Sequence, residues 1–221
     1  MDLVWKDEHL TLCAEKALFL QQYRTLVIAD LHLGKVNHFR KAGIAVPVQA
    51  NHQNAELVIQ LIQSYKPTRL ILLGDLFHSH YNDEWEVFGQ LRKHFSACRF
   101  DLVIGNHDIL SRHQYDRYEI SVFPELTVGS LVFTHDPNEV VPPDLYQVSG
   151  HLHPGARLRG SGKQSLTLPC FWMGARQMIL PAFGSFTGLA RIKPKKGDRL
   201  FVVAHSEVIE IVEKEKQMLS E

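Results

Sequence analysis

The sequence predicts an α/β fold built from two sheets, a mostly parallel one first and a more antiparallel one after it. Three observations predict it. Continuous apolar runs alternate with stretches of helical period as far as residue 104. Beyond residue 126 the apolar runs become short and are split by Gly, Pro and Ser clusters. The chain has 221 residues, 45% of them apolar, enough to bury a substantial core in one compact domain over residues 1–221.

In chain order, residues 10–13, 17–20 and 25–29 are short β-like runs between polar breaks, as in strands feeding a sheet. After His32 the period changes. Residues 33–42 could open a helix, and Pro47 interrupts it. Residues 50–65 carry Ala55, Leu57, Val58, Leu61, Ile62 and Tyr65 as a helical stripe that Pro67 ends. Residues 69–73 form a continuous apolar strand of the kind a parallel sheet buries on both faces. Residues 83–95 are helical again, with Asp83 as N-cap and Trp85, Phe88, Leu91 and Phe95 on one side. Residues 100–104 are the next strand. A β-α-β-α-β order calls for right-handed crossovers onto a parallel sheet. Strands then follow at 126–128, 131–134, 146–149, 156–159, 165–172, 178–180 and 200–203. Residues 208–218 read equally as a strand or a charged helix.

Lys+Arg and Asp+Glu balance at 24 each, so no net field advertises a nucleic-acid binder. The distribution is uneven. Residues 155–199 hold Arg157, Arg159, Lys163, Arg176, Arg191, Lys193, Lys195, Lys196 and Arg199 against one acid, Asp198, a net of +8. Such a segment is either a set of solvated hairpin faces or a surface for a polyanion. Cys13, Cys98 and Cys170 lie in or beside apolar runs without CxxC spacing, which fits buried free thiols in a reducing compartment. The start of the chain lacks the basic and apolar regions of a signal peptide. No apolar run approaches the roughly 18 residues of a membrane span. The expectation is a cytoplasmic protein with no membrane partner.

Five strand ends each deliver Asp, Asn or His: Asp30-x-His32, Gly74-Asp75, Gly105-Asn106-His107-Asp108, His135-Asp136 and Gly150-His151-x-His153. In an open α/β sheet, ligands collect outside the carboxyl ends of the strands. Asp30 and His32 are two residues apart, as are His151 and His153, so on extended backbone each pair points one way. Carboxylate and amide oxygens mixed with imidazole nitrogens, without thiolate, suit Mn²⁺, Fe or Zn²⁺. Seven such ligands are too many for one tetrahedral ion and suit two ions that share a carboxylate.

Taken in order, these five pieces resemble the signature of the calcineurin-like metallophosphoesterases. The resemblance implies an α/β (α+β) four-layer sandwich of two mixed β-sheets flanked by helices. It implies two divalent metal ions, Mn²⁺ with Fe or Zn²⁺ as alternatives. Asp30, His32, Asp75 and His153 would hold one, while Asp75 (bridging), Asn106, His135 and His151 would hold the other. It further implies metal-activated hydroxide attack in line on phosphorus, with His107 at the leaving oxygen. Asp108 would orient that imidazole, although the family most often has Glu there.

Gly-Asp-Leu-Phe-His at 74–78 resembles the double-strand-break repair nucleases of the superfamily, which implies a catalytic role for His78. Residues 30–47 resemble the ligase-associated DNA damage response endonucleases. The implied substrate is a phosphodiester, DNA in particular, with DNA-repair proteins as partners and phosphate contacts from Lys35, Arg40 and Arg157. A nucleotide or phosphomonoester hydrolase is the first alternative, and a non-catalytic metal-binding scaffold for a protein partner is the second. Phe171, Trp172, Phe183 and Phe186 could stack bases or pack in the core.

Overall fold

A computed structural model describes residues 1–33, 49–77, 81, 83–138, 140–159, 164–185 and 187–211. The first sheet has the order β1 (Asp2–Trp5), β2 (Glu8–Leu12), β3 (Leu18–Leu20), β4 (Thr25–Ala29), β5 (Arg69–Leu73), β6 (Arg99–Val103) and β7 (Ile120–Phe123). The first four strands pair antiparallel and the last four parallel, with β4 belonging to both sets. Helices α1 (Gln49–Tyr65) and α2 (Asp83–His94) make the crossovers that the helical stripes predict.

Alternation along the strands divides the core. Leu26, Ile28, Leu70, Leu72, Phe100 and Leu102 face Val58, Leu61 and Ile62 of α1 and Trp85, Phe88 and Leu91 of α2. Val27, Ala29, Ile71, Leu73 and Val103 face the other way, onto the second sheet. Period-2 side-chain geometry makes such a two-faced sheet continuously apolar. Asp101 interrupts the run, and it is fully buried between Arg69 Nε (2.5 Å) and Arg99 Nε (2.7 Å). Pairing of this kind is what a buried carboxylate needs.

The second sheet comprises β8 (Leu126–Val128), β9 (Leu131–Thr134), β10 (Tyr146–Ser149), β11 (Pro154–Arg159), β12 (Ser165–Met173), β13 (Gln177–Ile179), β14 (Ala190–Arg191), β15 (Arg199–Ala204) and β16 (Glu207–Ile211). Its order is β14-β11-β12-β13-β10-β9-β8, with β15 on β12 and β16 on β15. It is mixed: β9, β10 and β13 run parallel and most other pairs antiparallel. Phe133, Val148, Phe171, Met178 and Phe201 close the inter-sheet core. Ala156, Cys170, Leu200 and Val202 form a smaller cluster on the outer face.

Four elements lie beyond the sequence-based expectations. β1 joins β2 through Lys6 and Asp7, both on left-handed backbone, without the Asn-Gly or Asp-Gly pair that advertises such a turn. The short α3 (Arg112–Arg117) buries only Tyr115 and so shows no apolar period. β7 is half-buried, and β14 is two residues long. Of residues 208–218, those in β16 are strand; residues 212–218, and the expected helix beyond residue 33, lie outside the described residues. No described helix is long and apolar enough to cross a membrane.

Candidate metal centre

The carboxyl ends of β4, β5 and β6 in one sheet and of β9 and β10 in the other open on the same side of the sandwich. Backbone pairing continues past the strands into the loops. Asp30 N–H donates to Gly74 O (3.3 Å), His32 N–H to Asp75 O (2.9 Å) and Leu33 N–H to Leu76 O (2.9 Å). Residues 180–184 bind the two sheets at this end. Leu180 N–H donates to Ser149 O (2.8 Å), Phe183 N–H to Ala29 O (2.8 Å) and Gly184 N–H to Asp30 O (3.1 Å). The Lys16 ammonium donates to Phe183 O at 2.6 Å, and burial pulls its pKa down to about 8.

Two groups of donors converge here. Asp30, His32 and His153 form one; Asp75, His135 and His151 form the other, and within each the ligand atoms lie within 4.8 Å of one another. Asp75 reaches both, with Oδ2 at 3.8 Å from His32 Nε2 and Oδ1 at 3.4 Å from His135 Nε2. His153 Nε2 is 3.6 Å from Asp30 Oδ1 and 3.4 Å from His32 Nε2. His151 Nδ1 is 3.1 Å from His135 Nε2. Asp30 Oδ1 and His135 Nδ1 are buried without a hydrogen-bond partner. Buried polar atoms left so are costly. Ring nitrogens and carboxylate oxygens converging so closely, two of them without a hydrogen-bond partner, fit a divalent cation.

The route by which each pair of ligands shares a direction differs from the extended backbone that their spacing predicts. Asp30 (φ 53°), His32 (φ 49°), Asp75 (φ 47°), His151 (φ 64°) and His153 (φ 47°) all lie on left-handed backbone. Each costs roughly 1–3 kcal/mol, and such strain concentrates at functional sites. The paired residues turn the same way because the chain kinks at both.

The motif glycines have a steric reason. Gly74 is also left-handed (φ +70°), and a Cβ there would sit 1.9 Å from His135 Nδ1. A Cβ on Gly150 would sit 2.6 Å from Asp30 Oδ2. Only a bare backbone lets these loops close on the ligands.

The 105–108 turn hangs from the same carboxylates. His107 N–H donates to Asp75 Oδ1 (3.0 Å), and the exposed imidazole stands 5.9 Å, centroid to centroid, from His32. Asn106 is exposed beside it on the turn. Asp108 is buried and directs both oxygens at backbone, Oδ2 to Gly105 N–H (2.8 Å) and Oδ1 to Phe77 N–H (3.2 Å). Burial pushes its carboxyl up to about 7. Asp108 thus ties the loop that carries His107 to the backbone of the Phe77 loop.

One residue of the site has no role assigned by the sequence, although its loop does. Asp136 Oδ1 lies 3.3 Å from His151 Nε2, the carboxylate–histidine contact that orients metal-binding imidazoles. The available signal is its position directly after His135. Its loop is fixed by the buried Gln147, whose side chain bonds Thr134 Oγ1 (2.7 Å) and Asn138 N–H (3.0 Å).

His78, Lys35 and Arg40 lie outside the described residues, as does Phe186. Phe171 and Phe183 are core residues, 0% and 1% exposed, not stacking platforms. Arg157 is half-buried on β11, four residues past His153, and donates to Ser165 Oγ at 2.9 Å.

The calcineurin-like phosphoesterase family model matches residues 23–216. No curated protein matches the chain. Among solved structures, the chain is similar to the nuclease MPE of Pseudomonas putida, with 26% identity, a TM-score of 0.82, and coverage of 96% of this chain and 99% of that one. The phosphoesterase YfcE of E. coli is 16% identical with a TM-score of 0.44, covering 85% of this chain and 97% of that one. A protein of unknown function from Aquifex aeolicus, AQ665, is 16% identical with a TM-score of 0.43, covering 58% and 78%.

Proposed function

Because the chain belongs to the calcineurin-like phosphoesterase family, we propose that it is a binuclear metal-dependent phosphodiesterase that cleaves nucleic acid, DNA in particular. The observation that carries this is Asp75, whose two oxygens face two separate groups of nitrogen and oxygen donors. Asp30, His32, Asp75 and His153 hold one cation; Asp75, Asn106, His135 and His151 hold the other. Mn²⁺ is the metal of this proposal, with Fe or Zn²⁺ as substitutes. When bound, two such cations supply a hydroxide at neutral pH and counter-charge for the phosphoryl oxygens.

The chain's own residues do the rest. His107, exposed at the mouth of the site, gives a proton to the leaving oxygen. Asp75 and Asp108 position it by gripping the backbone of its loop, and Asp136 orients His151. His78 assists the reaction, and Lys35 and Arg40 hold phosphate.

Support for a polymeric substrate comes from the TM-score of 0.82 to a nuclease and from where three arginines fall. Arg157 and Arg159 share one face of β11, and Arg191, beside Gly155 in the parallel pair, shares it too. Their β12 partners Thr167 and Ser165 have the parity of Phe171 and Met173 in the inter-sheet core. This face therefore continues the inner face of the second sheet beyond the sandwich, on a strand that starts one residue after His153. A phosphate backbone entering the site would run along it. A place in DNA repair belongs to the same proposal and rests on the resemblance carried by residues 30–47 and 74–78.

The test is Mn²⁺-dependent hydrolysis of bis(p-nitrophenyl) phosphate, a phosphomonoester and single-stranded DNA side by side. Cleavage of the diester and DNA above the monoester is expected. Monoester turnover alone would overturn the proposal.

A further inference from the structure

The cationic segment that is continuous in sequence falls into separate groups in the fold. Arg199 is committed to Glu210 by two contacts, at 2.7 and 2.9 Å. Arg157 and Arg159 lie on β11, the strand that follows His153, and Arg191 on β14 beside it. Arg176, Lys195 and Lys196 instead line a cavity of about 590 Å³, a volume typical of small-ligand sites.

This cavity is at the other end of the second sheet. β10 and β13 run parallel, with Gln147 beside Gln177 and Ser149 beside Ile179. His151 follows the carboxyl end of β10, whereas Gly174, Arg176 and Gln177 of the cavity lie at the amino end of β13.

The lining is fixed in place. Trp172 Nε1–H donates to Asp198 Oδ2 (2.9 Å), and the same oxygen accepts Lys195 N–H (2.7 Å). The indole and the lysine loop are therefore pinned to one buried carboxylate. A Cβ on Gly174 would stand 3.2–3.3 Å from the indole ring carbons, so glycine keeps that edge open. Arg176 donates to the carbonyls of Pro142, Pro143 and Leu145 and lies over Tyr146. Lys195 and Lys196 are exposed at the rim.

We propose that this cavity binds a nucleotide unit, its base against Trp172 and its phosphate among Lys195, Lys196 and Arg176. A bare anion would have no use for the indole, and an uncharged aromatic none for three cations. Aromatic face plus cations is how nucleic-acid proteins hold an unpaired nucleotide without reading its sequence. Neither the metals nor turnover is needed for this binding, so it stands or falls separately from the proposed hydrolysis.

Intrinsic fluorescence reads the site directly, because Trp5 and Trp85 are buried (6% and 0% exposed) and Trp172 is not. Metal-free protein is titrated with AMP and with a short oligodeoxynucleotide. Quenching is expected with both, abolished in Trp172→Leu and shifted to about tenfold higher ligand in Lys195→Glu/Lys196→Glu at low salt. The lysine variant should keep wild-type Mn²⁺-dependent hydrolysis of bis(p-nitrophenyl) phosphate. Tighter binding of the oligonucleotide would assign the cavity to a strand, and equal binding to a free nucleotide. No quenching in the wild type, or quenching unchanged in the lysine variant, would overturn the proposal.

Discussion

The carboxylate of Asp75 accepts the backbone N–H of His107 at 3.0 Å. The same oxygen lies 3.4 Å from His135 Nε2, and its partner oxygen faces His32. One side chain therefore sets both the spacing of the donor groups and the position of the loop that carries the proposed acid. Replacing Asp75 by Asn removes the negative charge between the two groups and turns an amide N–H₂ on one of them. Hydrolysis of the diester should be undetectable at any Mn²⁺ concentration, and bound manganese should fall below two per chain by elemental analysis. Activity that returns at saturating Mn²⁺ would mean Asp75 serves a single ion.

His107→Ala separates the acid from the metals. The imidazole is exposed, and the loop is held to Asp75 by the backbone N–H of this residue, so the loop and the ligands should survive the change. The manganese content should be unchanged while kcat drops about 10²–10⁴-fold. Loss of metal in this variant would place His107 among the ligands.

The fold is legible in the sequence where one physical signal dominates. Residues 69–73 are buried nearly throughout, and their unbroken apolar run predicts a strand with the observed bounds. The stripe ending at Tyr65 predicts the observed helix, because apolar burial and Pro67 act together. Elements with little burial leave no such trace, as in α3 with its single buried Tyr115. At the site, the residue types are readable because five strand ends repeat them. Left-handed φ at Asp30, His32, Asp75, His151 and His153 is not, because Asp and His, although enriched in that region, adopt it at only a small share of their positions and nothing local marks which. Nor does sequence reveal which oxygens of Asp108 meet which amides, since Gly105 and Phe77 come together only in the folded loops.

If Arg157 and Arg159 hold phosphates, Arg157→Glu/Arg159→Glu should reduce cleavage of single-stranded DNA more than cleavage of the small diester. The slope of log affinity against log salt should flatten by about 0.7 for each phosphate no longer neutralised. A polymer-to-diester ratio equal to that of the wild type would remove the β11 face from substrate binding.

Metal binding should also be visible as stability. The folded chain keeps left-handed backbone at five ligands and buried, unbonded atoms on Asp30 and His135. A cation binds this arrangement in the folded chain and not in the unfolded one. At a free Mn²⁺ concentration of about 100 times Kd, the gain is about 2.7 kcal/mol per site. For a chain of this length each site raises Tm by roughly 5–10 °C, and the two together by roughly 10–20 °C. Differential scanning calorimetry with and without chelator measures it. A Tm indifferent to chelation would mean the donors hold no metal.

The three thiols give a prediction independent of the site. Cys13, Cys98 and Cys170 are 2%, 3% and 0% exposed. Burial raises their pKa values from 9.0 to about 11, about 11 and about 12. Desolvation penalises thiolate, which is the reactive form. At pH 8 the native protein should therefore show no rapid reaction with Ellman's reagent, and all three thiols should react in denaturant. Because the folded pKa values lie above the unfolded ones, the thiols' contribution to stability is complete below pH 9. It disappears as pH rises toward 11–12, where unfolding frees ionised sulfur. Urea melts taken from about pH 8 to about pH 10.5 should show stability falling over the upper part of that range. The fall should be smaller in Cys170→Ala than in the wild type once each is compared with its own value at the lower pH. A thiol that reacts at once with Ellman's reagent would show that its strand opens locally, since no buried cysteine with so high a pKa offers thiolate from the closed fold.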